Sequence, residues 1–227
     1  MPRDTLTRQI QHLLDEVLLL GSMVEQAMLS AVDILRQRDV KAAARLYEND
    51  QVINDKRFAI ENAILILIAT QQPMAHDLRL LAATLEIITE LERMGDYAKG
   101  IAKVTLRLKD ADINVPNRDI EHMANLAVGM LHRGLSAFVN EDPNEASAIV
   151  LEDEAVDNLY NQIYRHLVES MIANPATIDQ YNLLMWVAHN IERMADRVTN
   201  ICERTVFIAT GDMLEMDTTD DEEGDGE

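Results

Sequence analysis

LERMGDYAKGIAK at residues 91–103 and IERMADRVTNICE at residues 191–203 are two copies of one pattern, offset by 100 positions. Each sets E-R-M-x-D in a run whose apolar residues recur three and four apart, the period of a helix with one buried face. A second pairing lies upstream. ENDQVIND from Glu48 matches EDEAVDN from Glu152, with Asp50 against Asp153 and Ile53 against Val156, at an offset of 103. Insertions collect in turns, so the three-residue difference is expected in the Pro73 turn, read as longer than the Pro175 turn. The chain therefore reads as an internal repeat.

Working outward, Pro2, Pro73, Pro116, Pro143 and Pro175 fall where the helical pattern breaks. The segments between them predict six long helices, near 4–38, 41–70, 76–109, 117–140, 143–173 and 176–210. The fold class is all-α, two tandem three-helix bundles, with repeats at 1–113 and 114–210 and an acidic tail at 211–227. Composition agrees. Apolar residues make up 48% of the 227 residues and aromatics only 4%. Abundant Leu, Ala and Met lose little rotamer freedom in a helix.

The formal net charge is −20. So acidic a chain is repelled by nucleic acid and by anionic membrane surfaces, and attracts cations or basic partner surfaces. Residues 213–227 hold eight carboxylates and no Lys or Arg, and read as solvated and disordered. The single cysteine, Cys202, excludes an intrachain disulfide framework and a zinc cluster. The apolar run 63–69 is short of the ~20 residues a membrane span needs, so no direct membrane insertion is expected.

Carboxylates spaced four apart share one helix face. Glu92 with Asp96, Glu192 with Asp196 and Asp153 with Asp157 are such pairs, and Asp50 with Asn54 is a weaker one. In a hairpin about the Pro73 turn, Asp50 and Asn54 lie level with Glu92 and Asp96, each ~30 Å from the turn at 1.5 Å per residue. The Pro175 turn does the same for Asp153, Asp157, Glu192 and Asp196. Clustered oxygen donors suit hard cations. Arg93, Arg193 and Arg197 are close in sequence, so simple salt bridges are the competing reading. Gly95 inside its helix reads as a site of close helix packing, and Asp77 as the cap of the helix that follows the Pro73 turn.

QQPMAHDLRLLAATLEIITELERMGDYAKGIAK at residues 71–103 resembles the signature stretch of the PhoU family. NIERMADRVTNICE at residues 190–203 is similar to that family's second repeat, and GSMVEQAM in the first helix also resembles it. The resemblance implies a cytoplasmic, non-enzymatic negative regulator of phosphate uptake through the phosphate-specific ABC transporter and of phosphate-starvation signalling. It implies as partners the transporter's ATPase subunit, the phosphate-sensing histidine kinase and a second copy in a homodimer, with no nucleic acid. It also implies possible metal ions (Mg, Mn, Fe or Zn) on Asp50, Asn54, Glu92, Asp96, Asp153, Asp157, Glu192 and Asp196. Neutral Asn54 departs from the acidic form and weakens the first-repeat set. The alternative is a metal-binding helical protein with a di-metal enzymatic or storage role. That class draws on Glu-x-x-His pairs, which this sequence lacks.

Overall fold

The computed structural model describes residues 2–109, 111–213 and 216, and every regular element among them is helical. The helices are α1 (Pro2–Gln37), α2 (Val40–Asn49), α3 (Gln51–Gln71), α4 (His76–Leu108), α5 (Asn117–Asn140), α6 (Pro143–Val150), α7 (Asp153–Ala173) and α8 (Ile178–Thr210), with a single 3-10 turn at Pro175–Thr177. The acidic tail from residue 217 onward lies outside the described residues.

The six expected rods are present, and two carry a break. The rod read over 41–70 divides at Asp50, and that over 143–173 at Leu151 and Glu152. These residues keep right-handed helical dihedrals. What lapses is the bonding step. Ile53 N–H donates to the Asp50 carbonyl at 3.0 Å and Glu152 N–H to the Ile149 carbonyl at 3.0 Å, both three residues back rather than four. A tightened turn of this kind bends an axis without disturbing the apolar period, which is why the sequence reads straight through it.

The two halves repeat down to their turns. α1 ends on Arg38 and α5 on Glu141, each with positive φ. The next residue in each is an aspartate cap. Asp39 accepts from Lys41 and Ala42 N–H at 3.0 and 2.9 Å, and Asp142 from Asn144 and Glu145 N–H at 3.0 and 3.1 Å. Two expectations about the hairpin turns need correcting. The connectors after α3 and α7, 72–75 and 174–177, are equally long, so the three-residue difference sits in the helix ends that flank them. Asp77 is not the cap of α4. Ala75 holds that position with no side-chain bond, and Asp77 sits in the first turn, where its charge faces the positive end of the helix dipole.

Packing closes the two halves into one body. α4 lies most extensively against α8; α1 packs on α4 and α5, and α5 on α8. The four form a ring of neighbours, and α2–α3 and α6–α7 flank it. One continuous core runs through both halves, from Val17, Leu20 and Met28 of α1 to Ile191, Met194 and Ile201 of α8. α1 is long and apolar enough over Thr5–Gln37 to span a bilayer, although its apolar residues do not form one unbroken run. Its apolar face is instead spent on this core: Val17, Leu20, Val24, Met28 and Ala31 are fully buried. Arg38 fastens the linker between the halves, donating to the carbonyls of Ala111 and, at 2.8 Å, Ile113.

Candidate functional site: two acidic helix faces of unequal charge

Gly95 sets the first face. A Cβ there would lie 3.1 and 3.2 Å from Ile53 side-chain carbons, so its absence lets α3 close onto α4, as the close-packing reading expects. Ile53 lies between Asp50 and Asn54, so this contact brings that pair up to Glu92 and Asp96. The carboxyls are neighbours. Glu92 is raised above the usual carboxylate range by burial and then by the charge of Asp96. Asp96 is raised by burial and then by Asp50.

A lysine already occupies this cluster. Lys99 Nζ is 2.6 Å from Asp50 Oδ2 and 4.0 Å from Asp96, and it sits 5.4 Å from the centre of the Tyr47 ring. Asp50 is only 6% exposed, so its charge depends on that ammonium. The Asn54 amide donates to Asp50 at 3.5 Å, and the Arg57 guanidinium counters part of the rise on Glu92.

The second face has the same frame with different fillings. Asp153 opens α7, Asp157 follows one turn on, and Glu192 and Asp196 lie opposite on α8. Glu192 is pushed up to about 7, first by burial, then by Asp196 and Asp157, with Asp153 contributing. At offsets of 103 and 100, Tyr47 becomes Val150, Asn54 becomes Asp157, Arg57 becomes Tyr160 and Lys99 becomes Thr199. The first cluster sets three carboxylates beside Lys99 and Arg57, and the second sets four carboxylates with no counterpart of either cation. Arg193 offsets part of the rise on Glu192, and its guanidinium lies 5.8 Å from the centre of the Tyr97 ring on α4. His189 Nδ1 lies 3.0 Å from Glu192, and burial lowers the pKa of this imidazole.

Among the described residues, no group of three or more His, Cys, Asp or Glu side chains is arranged to hold a metal ion as the side chains stand. The donor chemistry nonetheless differs between the halves. Four carboxylates without an internal lysine suit a hard cation. The first cluster, with Lys99 inside it, does not offer the same attraction.

Polar side chains join the halves along α4 and α8. Arg197 reaches Glu90 at 3.1 Å and the Tyr97 hydroxyl at 3.2 Å, and Asn200 donates to Glu90 at 3.3 Å. Thus α8 meets α4 beside both acidic faces and fixes their mutual position.

The sequence matches the PhoU domain model twice, over residues 17–105 and 120–205. The chain belongs to the PhoU family. It is 33% identical over 217 residues to a phosphate-specific transport system accessory protein PhoU homolog of Clostridium acetobutylicum, covering 95% of this chain and 99% of that protein. It is 37% identical over 207 residues to the homolog of Caulobacter vibrioides, covering 91% and 90%. The crystal structure of PhoU from Pseudomonas aeruginosa superposes with a TM-score of 0.84 at 27% identity, covering 91% of this chain and 99% of that one. That of the phosphate transport system regulatory protein PhoU from Streptococcus pneumoniae gives 0.84 at 28%, covering 95% and 100%.

Within this PhoU-family chain, the residues singled out by spacing do gather into two clusters, one per half. Carboxylate spacing does not single out Lys99 and Arg57, although aligning the repeats sets Lys99 against Thr199. The buried thiol of Cys202, pushed up to about 12 mainly by burial, is not a reactive group.

Proposed function

We propose that this protein is a non-enzymatic negative regulator of phosphate uptake, acting in the cytoplasm through the phosphate-specific ABC transporter and the phosphate-starvation two-component system. The observation that carries the reading is the paired domain match, with relatives of nearly the same length named as accessory proteins of the phosphate-specific transport system. The sequence adds support. It has no Gly-rich phosphate loop and no thiol–His pairing. The transporter's ATPase subunit and the sensor kinase are the partners this reading assigns, with a homodimer as the working form. Deleting the gene in phosphate-replete cells is expected to raise phosphate accumulation and starvation-gene expression. A chain lacking residues 213–227 is expected to restore repression. Unchanged uptake and expression after deletion, without a compensating paralogue, would defeat the proposal.

A second reading, metal binding, draws on the asymmetry between the acidic faces. Asp153, Asp157, Glu192 and Asp196 would hold a divalent or ferric cation, which would relieve the repulsion that raises Glu192. A site at Asp50, Asn54, Glu92 and Asp96 would be weaker, since Lys99 already neutralises Asp50. Calorimetry with Mn²⁺ is expected to show one dominant site that disappears in Glu192→Ala/Asp196→Ala and survives Glu92→Ala/Asp96→Ala. Equal affinity in the first double variant would remove the assignment.

A further inference from the structure

We propose that the α7/α8 face of the second half is a docking surface for an arginine-bearing segment of a partner protein. Four rings line that face in an unbroken strip. Tyr160 and Tyr164 are 6.3 Å apart between ring centres on α7, Tyr160 is 6.2 Å from His189 on α8, and His189 is 6.2 Å from Trp186. The ends of the strip face solvent, with Tyr164 43% and Trp186 56% exposed. His189 places its ring beside Glu192, so the strip runs into the carboxylates of the second acidic face.

Tyr160 is half-buried against the core, and none of the four rings recurs in the first half. At the repeat offsets, the first half has Arg57, Glu61, Glu86 and Thr89 where the second has Tyr160, Tyr164, Trp186 and His189. Those residues pair among the chain's own groups: Arg57 with Glu61 at 3.0 Å and Glu86 with Arg204 at 3.3 Å. The same helical frame thus carries an ion-paired polar face in one half and an aromatic face with exposed ends in the other. Exposed Trp and Tyr flanked by charge are the residue types that dominate binding energy at protein interfaces.

The choice of occupant follows from charge. The chain carries −20 overall, and Glu192 beside the strip stands with Asp196, Asp157 and Asp153, whose effect on it the charge of Arg193 offsets only in part. A guanidinium is planar, stacks on aromatic faces and pairs with a carboxylate in two-pronged fashion. Arginine side chains laid along Tyr160, Tyr164 and Trp186 would therefore reach Glu192. Lysine supplies the charge and lacks the stacking plane. This inference rests on the reading of the protein as one that acts through partners.

The test uses the full chain in chelator and a fluorescently labelled, end-blocked helical peptide with arginines at i and i+4, read by anisotropy. Lysine and citrulline versions serve as controls. Expected results are binding in the order arginine, lysine, citrulline, and about tenfold weaker binding to Trp186→Ala and to Tyr164→Ala. Trp186→Phe should recover most of the affinity, and Glu86→Ala, its first-half counterpart, should change nothing. Circular dichroism checks that the variants remain folded. Unaltered affinity in both alanine variants, or equal binding of the citrulline peptide, overturns the proposal. In the deletion strain, Trp186→Ala/Tyr164→Ala is expected to fail to restore repression. Full restoration by that variant also overturns the docking role while leaving the regulatory reading intact. A deletion without phenotype defeats the regulatory reading, and the peptide arm still decides the surface.

Discussion

Lys99→Met is expected to destabilise the chain by about 2 kcal/mol at pH 7, and Asp50→Asn in the same chain to recover most of that loss. Asp50 is buried at the break between α2 and α3, and the Lys99 ammonium 2.6 Å away compensates its charge. Breaking a fully buried pair from one side costs roughly 3–5 kcal/mol, because the remaining charge is stranded. Lys99 is 31% exposed and partly screened, which places the expected loss below that range. Neutralising Asp50 removes the stranded charge, so the double variant should unfold in urea close to the wild-type midpoint. The Lys99 pKa is raised, first by the hydrogen bond to Asp50, consistent with a pair that holds its charges in the folded state. Additive losses in the double variant would show that Lys99 acts through its packing on Tyr47 instead.

Glu192→Gln is expected to stabilise the metal-free chain by about 3 kcal/mol at pH 8 and to leave it nearly unchanged at pH 4.5. The carboxyl titrates at about 7 in the folded chain against 4.5 as the ordinary value. Below 4.5 both folded and unfolded forms hold the proton, and the protein has the full stability available from this group. Between 4.5 and 7 the unfolded chain releases it first, so stability falls as pH rises, by about 1.4 kcal/mol per pH unit. Above 7 the loss is complete and the profile levels. Glutamine keeps the shape without the charge, so the variant should lack this slope. Urea midpoints of both proteins in chelator, followed from pH 4.5 to 8, measure the difference. A wild-type minus variant difference that grows more favourable with pH would contradict the burial and repulsion assigned to Glu192.

Both expectations concern residues whose roles differ sharply in legibility. Glu192 was visible from spacing, because a four-residue interval places two carboxylates on one helix face wherever the helix goes. The repeat made it stronger, since E-R-M-x-D recurs with its partner pair in the same order. Lys99 was not visible in that way. Its partner Asp50 lies 49 positions away on another helix. The strip of Tyr160, Tyr164, His189 and Trp186 was equally hidden, since each residue alone is an ordinary surface or half-buried ring. It emerges when α7 and α8 are laid side by side.

By itself the sequence determined the helices, their approximate ends, the doubling of the chain and the two acidic faces. Those features follow from local period, from proline and capping chemistry, and from a pattern written twice. Tertiary structure alone decided the ring of α1, α4, α8 and α5, the breaks at Asp50 and at Leu151 and Glu152, and the pairing of Lys99 with Asp50. The breaks escape a periodic reading because their dihedrals stay helical while one bonding step shortens. The pairing escapes it because an ammonium neutralises whichever carboxylate the packing brings within reach, and Ile53 settled against Gly95 brings Asp50 to Lys99.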